Sequence, residues 1–90
     1  MKVQDLLTDE RKWTKNQMRR IREDGTVAYC LFGALDECYR NDSLAFLDAE
    51  TRLKGAIYGE IDGESLISRF NDSPVTTFAD IRRVIEQADI

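Results

Sequence analysis

Few side chains in this sequence have chemistry to offer. The chain holds two cysteines, Cys30 and Cys38, and no histidine among its 90 residues. Without imidazole, the side chain that most often moves protons near neutral pH is missing, and so is the commonest nitrogen ligand for metals. Ser-His-Asp and Cys-His machinery are excluded, and two thiols fall short of the four ligands a structural zinc site needs. Cys30 stands where a strand-like run hands over to a helical one, a place where helix amides lower a thiol's pKa. Its neighbours Tyr29, Leu31 and Phe32 point instead to burial, so a structural thiol is the expectation. Cys38 lies two helical turns further on, about 12 Å along the axis, too far for a disulfide within one helix.

Two clusters of oxygen-bearing side chains come next. Glu60, Asp62 and Glu64 alternate around Gly59 and Gly63, a spacing that could hold Ca²⁺ or Mg²⁺. They lack the longer ligand series and final glutamate of an EF-hand loop, so a solvated acidic loop is expected, with no metal and no cofactor. Asn71, Asp72, Thr76 and Thr77 bracket the single proline, Pro74. They could line a small site; the expectation is that they cap a helix start and satisfy its unpaired amides.

Charge is unevenly spread. Arg11, Lys12, Lys15, Arg19, Arg20 and Arg22 form a basic segment with no acidic residue among them, whereas twelve acidic residues against six basic ones follow Asp24. The net charge is −4, with a pI near 4.8. The basic segment could bind phosphate backbones, with Trp13 or Tyr29 available for stacking, or it could pair with the protein's own acidic surface. Asp36, Glu37, Asp48, Glu50, Glu60, Asp62 and Glu64 are the candidate acidic face, suited to steering toward a basic protein surface.

The elements that must position these groups fit one compact domain over residues 1–90. A chain this size buries roughly 60–65% of the surface its unfolded form exposes. No apolar run approaches the roughly 20 residues that span a bilayer, and Met1-Lys2-Val3-Gln4-Asp5 does not open a secretory signal. With free thiols, a cytoplasmic chain is expected. Val3, Leu6 and Leu7 share one helical face, which Trp13 would cap. Trp13, Gln17 and Ile21 then fall on a helical period, but Glu23-Asp24-Gly25-Thr26 is a turn signal and strand formers follow it. We therefore expect an antiparallel hairpin, Gln17–Arg22 with Thr26–Tyr29, closed by Asp24-Gly25 as a two-residue turn. Leu31, Ala34, Leu35 and Cys38 line a second helix, within which Gly33 implies close approach of another backbone. Asp42 or Ser43 would cap a third, suggested by the positions Leu44, Leu47, Leu53, Ala56 and Ile57 and stopping before Gly59. Glu64 to Phe70 could be a brief helical turn. Thr77 and Asp80 form a weak capping box for a last helix, with Phe78, Ile81, Val84, Ile85 and Ala88 inside. The fold class is α+β, a small single domain, mostly helical (about four helices) with one short antiparallel β-hairpin.

Trp13 after an amphipathic helix, the Asp24-Gly25 turn, Cys30, Gly33, Ala34 and Leu35 as C-x-x-G-A-L, and Phe70, Asn71, Asp72, Thr76 and Thr77 as F-N-D-x-x-x-T-T occur in that order. This arrangement resembles a family of small bacterial and phage proteins known only as a domain of unknown function. The likeness covers most of the chain, least between Asn41 and Ser65, and departs in a shorter approach from Gly25 to Cys30. It implies a compact domain found near mobile elements, and no activity.

These readings converge on a chain that acts by binding. The expectation is a non-catalytic protein-binding module with an acidic face, in the manner of a phage or mobile-element modulator or inhibitor of a basic host protein. Nucleic acid held by Arg11 to Arg22 is the alternative. A membrane partner is not expected, and monomer and homodimer both stay open.

Overall fold

A computed structural model describes residues 1–60 and 66–90, excluding the side chain of Glu60. Among the described residues the chain order is α1 (Val3–Leu6), a 3-10 turn (Glu10–Lys12), β1 (Arg19–Ile21), β2 (Val27–Tyr29), α2 (Leu31–Tyr39), α3 (Ser43–Glu60), α4 (Ile67–Asp72) and α5 (Phe78–Ala88). The result is an α+β domain with one helix more than the sequence implied. The extra helix is α4, which stands where a brief turn over Glu64 to Phe70 was expected but runs from Ile67 to Asp72.

α5 forms for the reasons its sequence advertises. Thr77 Oγ1 accepts from the Asp80 amide and Asp80 accepts from the Thr77 amide, a complete capping box. Ile81, Val84, Ile85 and Ala88 recur at three- and four-residue spacing and are buried. They meet Ala49, Leu53, Ala56 and Ile57 of α3, with Leu31, Leu35, Ile67 and Phe70 completing the core. The third helix departs from expectation. Its buried side carries Ala49, Leu53, Ala56 and Ile57, while Leu44 and Leu47 face solvent, and it runs through Gly59. Asp42 supplies its cap, accepting from the Ala45 amide at 3.1 Å.

The first helix is a single turn. Val3 and Leu7 are fully buried, and the Arg82 guanidinium donates to the carbonyls of Gln4 and Leu7, ending the segment against α5. The Val3 amide also donates to the Ile90 carbonyl at 2.6 Å.

The hairpin exists but is shorter than expected, pairing Arg19 with Tyr29 and Ile21 with Val27. Its turn is also different. Gly25 (φ +87°) is left-handed, whereas Asp24 has no positive φ. The Gly25 amide donates to the Arg22 carbonyl and the Arg22 amide to Thr26, making a three-residue loop with a glycine bulge in place of the two-residue turn. The helical period of Trp13, Gln17 and Ile21 is not realised, because Asn16 takes a left-handed conformation (φ 66°) that stops any helix there.

Gly33 explains how the hairpin seats on α2. A Cβ there would lie 2.1 Å from the Met18 carbonyl oxygen, an overlap no side chain can take. The Cys30 amide donates to that same carbonyl at 3.2 Å. The strand therefore crosses the first turn of α2 at backbone contact distance, which only glycine permits.

Candidate functional site

Most of the chemically suggestive residues gather in one interior cluster, around Asn71 at the C-terminal turn of α4. Its side chain is fully buried. Oδ1 accepts from Trp13 Nε1 at 2.7 Å and from the Leu31 amide at 3.0 Å. Nδ2 donates to the Thr14 carbonyl at 3.0 Å and to Asp72 Oδ1 at 2.9 Å. All four bonds the amide can make are thus made, and they tie together the chain after the 3-10 turn, the start of α2 and the end of α4. Asp72 extends the cluster by accepting from the Asn16 amide at 2.8 Å, which holds that residue in its left-handed conformation. Thr76 Oγ1 donates to the Phe70 carbonyl at 2.7 Å. Among the described residues no buried side-chain nitrogen or oxygen lacks a partner. The asparagine-aspartate-threonine segment therefore works as a structural clip.

Cys30 belongs to the same region. It is the N-cap of α2, its Sγ accepting from the Gly33 amide at 3.3 Å. Burial pushes its pKa up against the pull of the Gly33 and Phe32 amides, and the nearby Asp72 carboxylate pushes the same way. A thiol kept protonated and covered is a poor nucleophile. Cys38 is partly buried and its pKa is likewise raised by burial. Among the described residues no group of three or more Cys, Asp or Glu could hold a metal ion. The acidic candidates Asp62 and Glu64 lie outside the described residues, as does the side chain of Glu60.

The basic segment is largely committed to the protein itself. Arg11 pairs with Asp24 at 2.5 Å, and Lys12 donates to Thr8. Lys15 donates to the Ser73 carbonyl and sits 5.4 Å from the centre of the Trp13 ring. Arg22 donates to the carbonyls of Arg11 and Trp13. Arg19 and Arg20, on the fully exposed β1, make no such contact. The two aromatic side chains proposed for stacking are not available to bases: Trp13 is 8% exposed and Tyr29 is 9% exposed. Trp13 spends its indole on Asn71 and packs on Phe78, and Tyr29 joins the core.

Two of the described acidic candidates are ion-paired within the domain, and the other two share surface hollows with cations. Glu37 lies 3.6 Å from Arg40 and Asp48 lies 3.2 Å from Arg52. Asp36 and Glu37 border a crevice of about 100 Å³ with Arg19 and Arg40. Glu50 borders an open groove of about 410 Å³ with Lys54, Arg69 and the exposed Leu66. The surface they form is mixed in sign.

The feature that sequence reasoning did not separate is the outer side of α3, because it grouped Leu44 and Leu47 with Leu53, Ala56 and Ile57, which are buried. Leu44 is 81% exposed, Leu47 is 56% and Tyr58 is 58%. With Thr51 they recur at three-, four- and seven-residue spacing, so they form one stripe along the helix. Asp48 and Arg52 lie along one edge of the stripe, Glu50 and Lys54 along the other. The signal was present in the sequence as a second apolar period within residues 43–60, offset from that of Ala49, Leu53, Ala56 and Ile57.

No curated protein and no solved structure matches this chain. The model of a family of unknown function, DUF6197, matches residues 1–89, and the chain belongs to that family. The expected kinship with a small-protein family of unknown function is thereby met.

Proposed function

We propose that this member of a family of unknown function is a non-catalytic protein-binding module, and that its contact surface is the outer side of α3. One observation carries the reading: Leu44, Leu47 and Tyr58 remain exposed on a single helix face while the domain's reactive side chains are turned inward. Contiguous apolar surface rimmed by charge is what soluble domains keep for partners. No helix among the described residues is long and apolar enough to cross a membrane. The carboxylates Asp48 and Glu50 and the cations Arg52 and Lys54 supply the rim, which sets orientation and rate of encounter more than affinity.

Capture with the tagged full chain tests this, comparing wild type with the Leu44→Glu/Leu47→Glu double variant. A protein, a second copy of this chain included, retained by the first and lost from the second supports the reading. A partner held equally by both overturns it, and so does turnover of a small molecule that disappears on replacing one polar side chain.

A second reading, nucleic acid, is favoured by the exposed and uncommitted Arg19 and Arg20 on β1. It predicts a gel shift at low salt that Arg19→Glu/Arg20→Glu abolishes. No shift with DNA or RNA at low salt removes it.

A further inference from the structure

The outer side of α3 is complementary to itself. Thr51 lies at its centre, with Leu44 and Tyr58 seven residues to either side and Leu47 and Gly55 four residues to either side. A two-fold axis across the helix at Thr51 would lay α3 antiparallel on α3 of a second copy. Leu44 then meets Tyr58, Leu47 lies over Gly55, and Thr51 meets itself. The glycine is what makes room. A Cβ at Gly55 would touch nothing within 4 Å, so the helix backbone is open there to an incoming leucine.

The charges obey the same symmetry. In a two-fold antiparallel pair each edge of the stripe faces the same edge of the other copy, run backwards. One edge carries Asp48 and Arg52, on opposite sides of Thr51, so the carboxylate of each copy comes within reach of the guanidinium of the other. The opposite edge carries Glu50 and Lys54, which pair across the axis in the same way. Lys54 makes no ion pair among the described residues, and Glu50 beside it is half-buried at the edge of the open groove. All four charges bordering the stripe thus lie beside an opposite charge of the second copy, Asp48 and Arg52 in addition to their pairing within the helix. A parallel two-fold pairing in register sets one edge against the other, which brings Asp48 of each copy nearly level with Glu50 of the other, carboxylate beside carboxylate, and leaves Arg52 between Glu50 and Lys54.

We propose that the partner of this face is a second copy of the chain, forming an antiparallel α3–α3 homodimer centred on Thr51. The proposal rests on the reading of α3 as a protein-binding surface and names its occupant. Isologous contacts of this kind are the commonest route to small oligomers, because one patch serves both subunits.

Sedimentation equilibrium on the full chain tests it, with circular dichroism confirming that each variant is folded. Wild type should show a concentration-dependent dimer, and Leu44→Glu/Leu47→Glu should be monomeric. Lys54→Glu alone puts like charges opposite one another twice per dimer, as does Glu50→Lys alone, and each should weaken association about tenfold or more. Mixing the two single variants should restore it as a heterodimer, because the carboxylates at positions 50 and 54 of one copy then face the ammonium groups at those positions of the other. A merely structural role for either residue would not produce that rescue. A wild-type chain that stays monomeric up to about 1 mM overturns the proposal. So does a dimer indifferent to the α3 substitutions, or single variants that fail to rescue each other. A monomeric chain that still loses a captured protein on Leu44→Glu/Leu47→Glu overturns the homodimer while leaving the protein-binding reading standing.

Discussion

Around Asn71 the domain buries polar groups, and along the outer side of α3 it exposes apolar ones. The two regions depart from the usual distribution in opposite directions, and only one departure is resolved within the chain. The interior cluster closes on itself: the Asn71 amide makes all four of its hydrogen bonds, two of them accepted and two donated. A fully satisfied buried network stiffens a core and specifies a single arrangement of the segments it joins. The α3 stripe has no internal answer. Leu44 at 81% exposure leaves apolar area in water that a partner would remove. Inside, chemically versatile residues have become architecture; outside, bland residues have become the candidate site.

If that contrast is right, the largest effect on stability comes from breaking the interior. Asn71→Ala leaves the Trp13 indole N–H, the Leu31 amide and the Thr14 carbonyl buried without their partner. Each unsatisfied group costs about 1–3 kcal/mol, so a loss of about 3–5 kcal/mol is expected in urea unfolding, enough to unfold a domain this small. Trp13→Phe removes one bond and leaves Asn71 Oδ1 with the Leu31 amide; it should cost less than half as much. Equal losses for the two variants would mean that the indole bond carries the whole cluster. Next comes Gly33→Ala, whose methyl would press on the Met18 carbonyl. Overpacking against rigid backbone should outweigh the helix-propensity gain of about 1 kcal/mol and leave a net loss of about 2 kcal/mol. Faster amide exchange confined to β1 and β2 would confirm that the hairpin has been lifted from α2.

Much of this was legible from residue types. The Thr77 and Asp80 cap, the inner face of α5 and the close approach at Gly33 all follow from local rules, because each depends on residues a few positions apart. The side of α3 that is buried was not legible. Leu44 and Leu47 are as apolar as Leu53 and Ile57, and periodicity within one helix says nothing about which face its neighbours cover. The Trp13–Asn71 bond joins residues 58 positions apart, so no spacing rule could place it. The structural reading of the asparagine-aspartate-threonine segment holds, but its local reason covers only part of it: Thr77 caps a helix, whereas Asn71 clips three segments together. The turn at Asp24-Gly25 shows the same limit at short range. Its glycine was legible, and the extra residue that turns two into three was set by the register of β1 on β2.

On the outer side of α3 the contrast predicts almost nothing for stability. Leu44→Glu/Leu47→Glu, measured as a monomer, should lie within about 0.5 kcal/mol of wild type with an unchanged denaturant slope, since exposed side chains lose little on replacement. A loss of several kcal/mol would place these leucines in the core and dissolve the distinction between the two regions.

The smallest effect concerns an exposed charge that pins the hairpin to the rest of the domain. Asp24 accepts from the Thr26 amide and pairs with Arg11, and its pKa is lowered from 3.8 to about 2, chiefly by the Thr26 hydrogen bonds. Because the folded value is the lower one, the unfolded chain binds more protons between these two pH values, and stability rises with pH across that window. The contribution is therefore complete above about pH 4 and disappears as the solution is acidified toward pH 2. Exposure to solvent keeps it small and sensitive to salt. Asp24→Asn should flatten the acid limb of the stability profile slightly while leaving stability near neutral pH a little lower than wild type. An acid limb unchanged in this variant would assign the pH dependence to Asp80 and Asp89, whose pKa values are also lowered by their hydrogen bonds to Thr77 and Lys2. The hairpin would then owe its seat to the backbone contact at Gly33, with the Arg11–Asp24 pair an incidental contact on its surface.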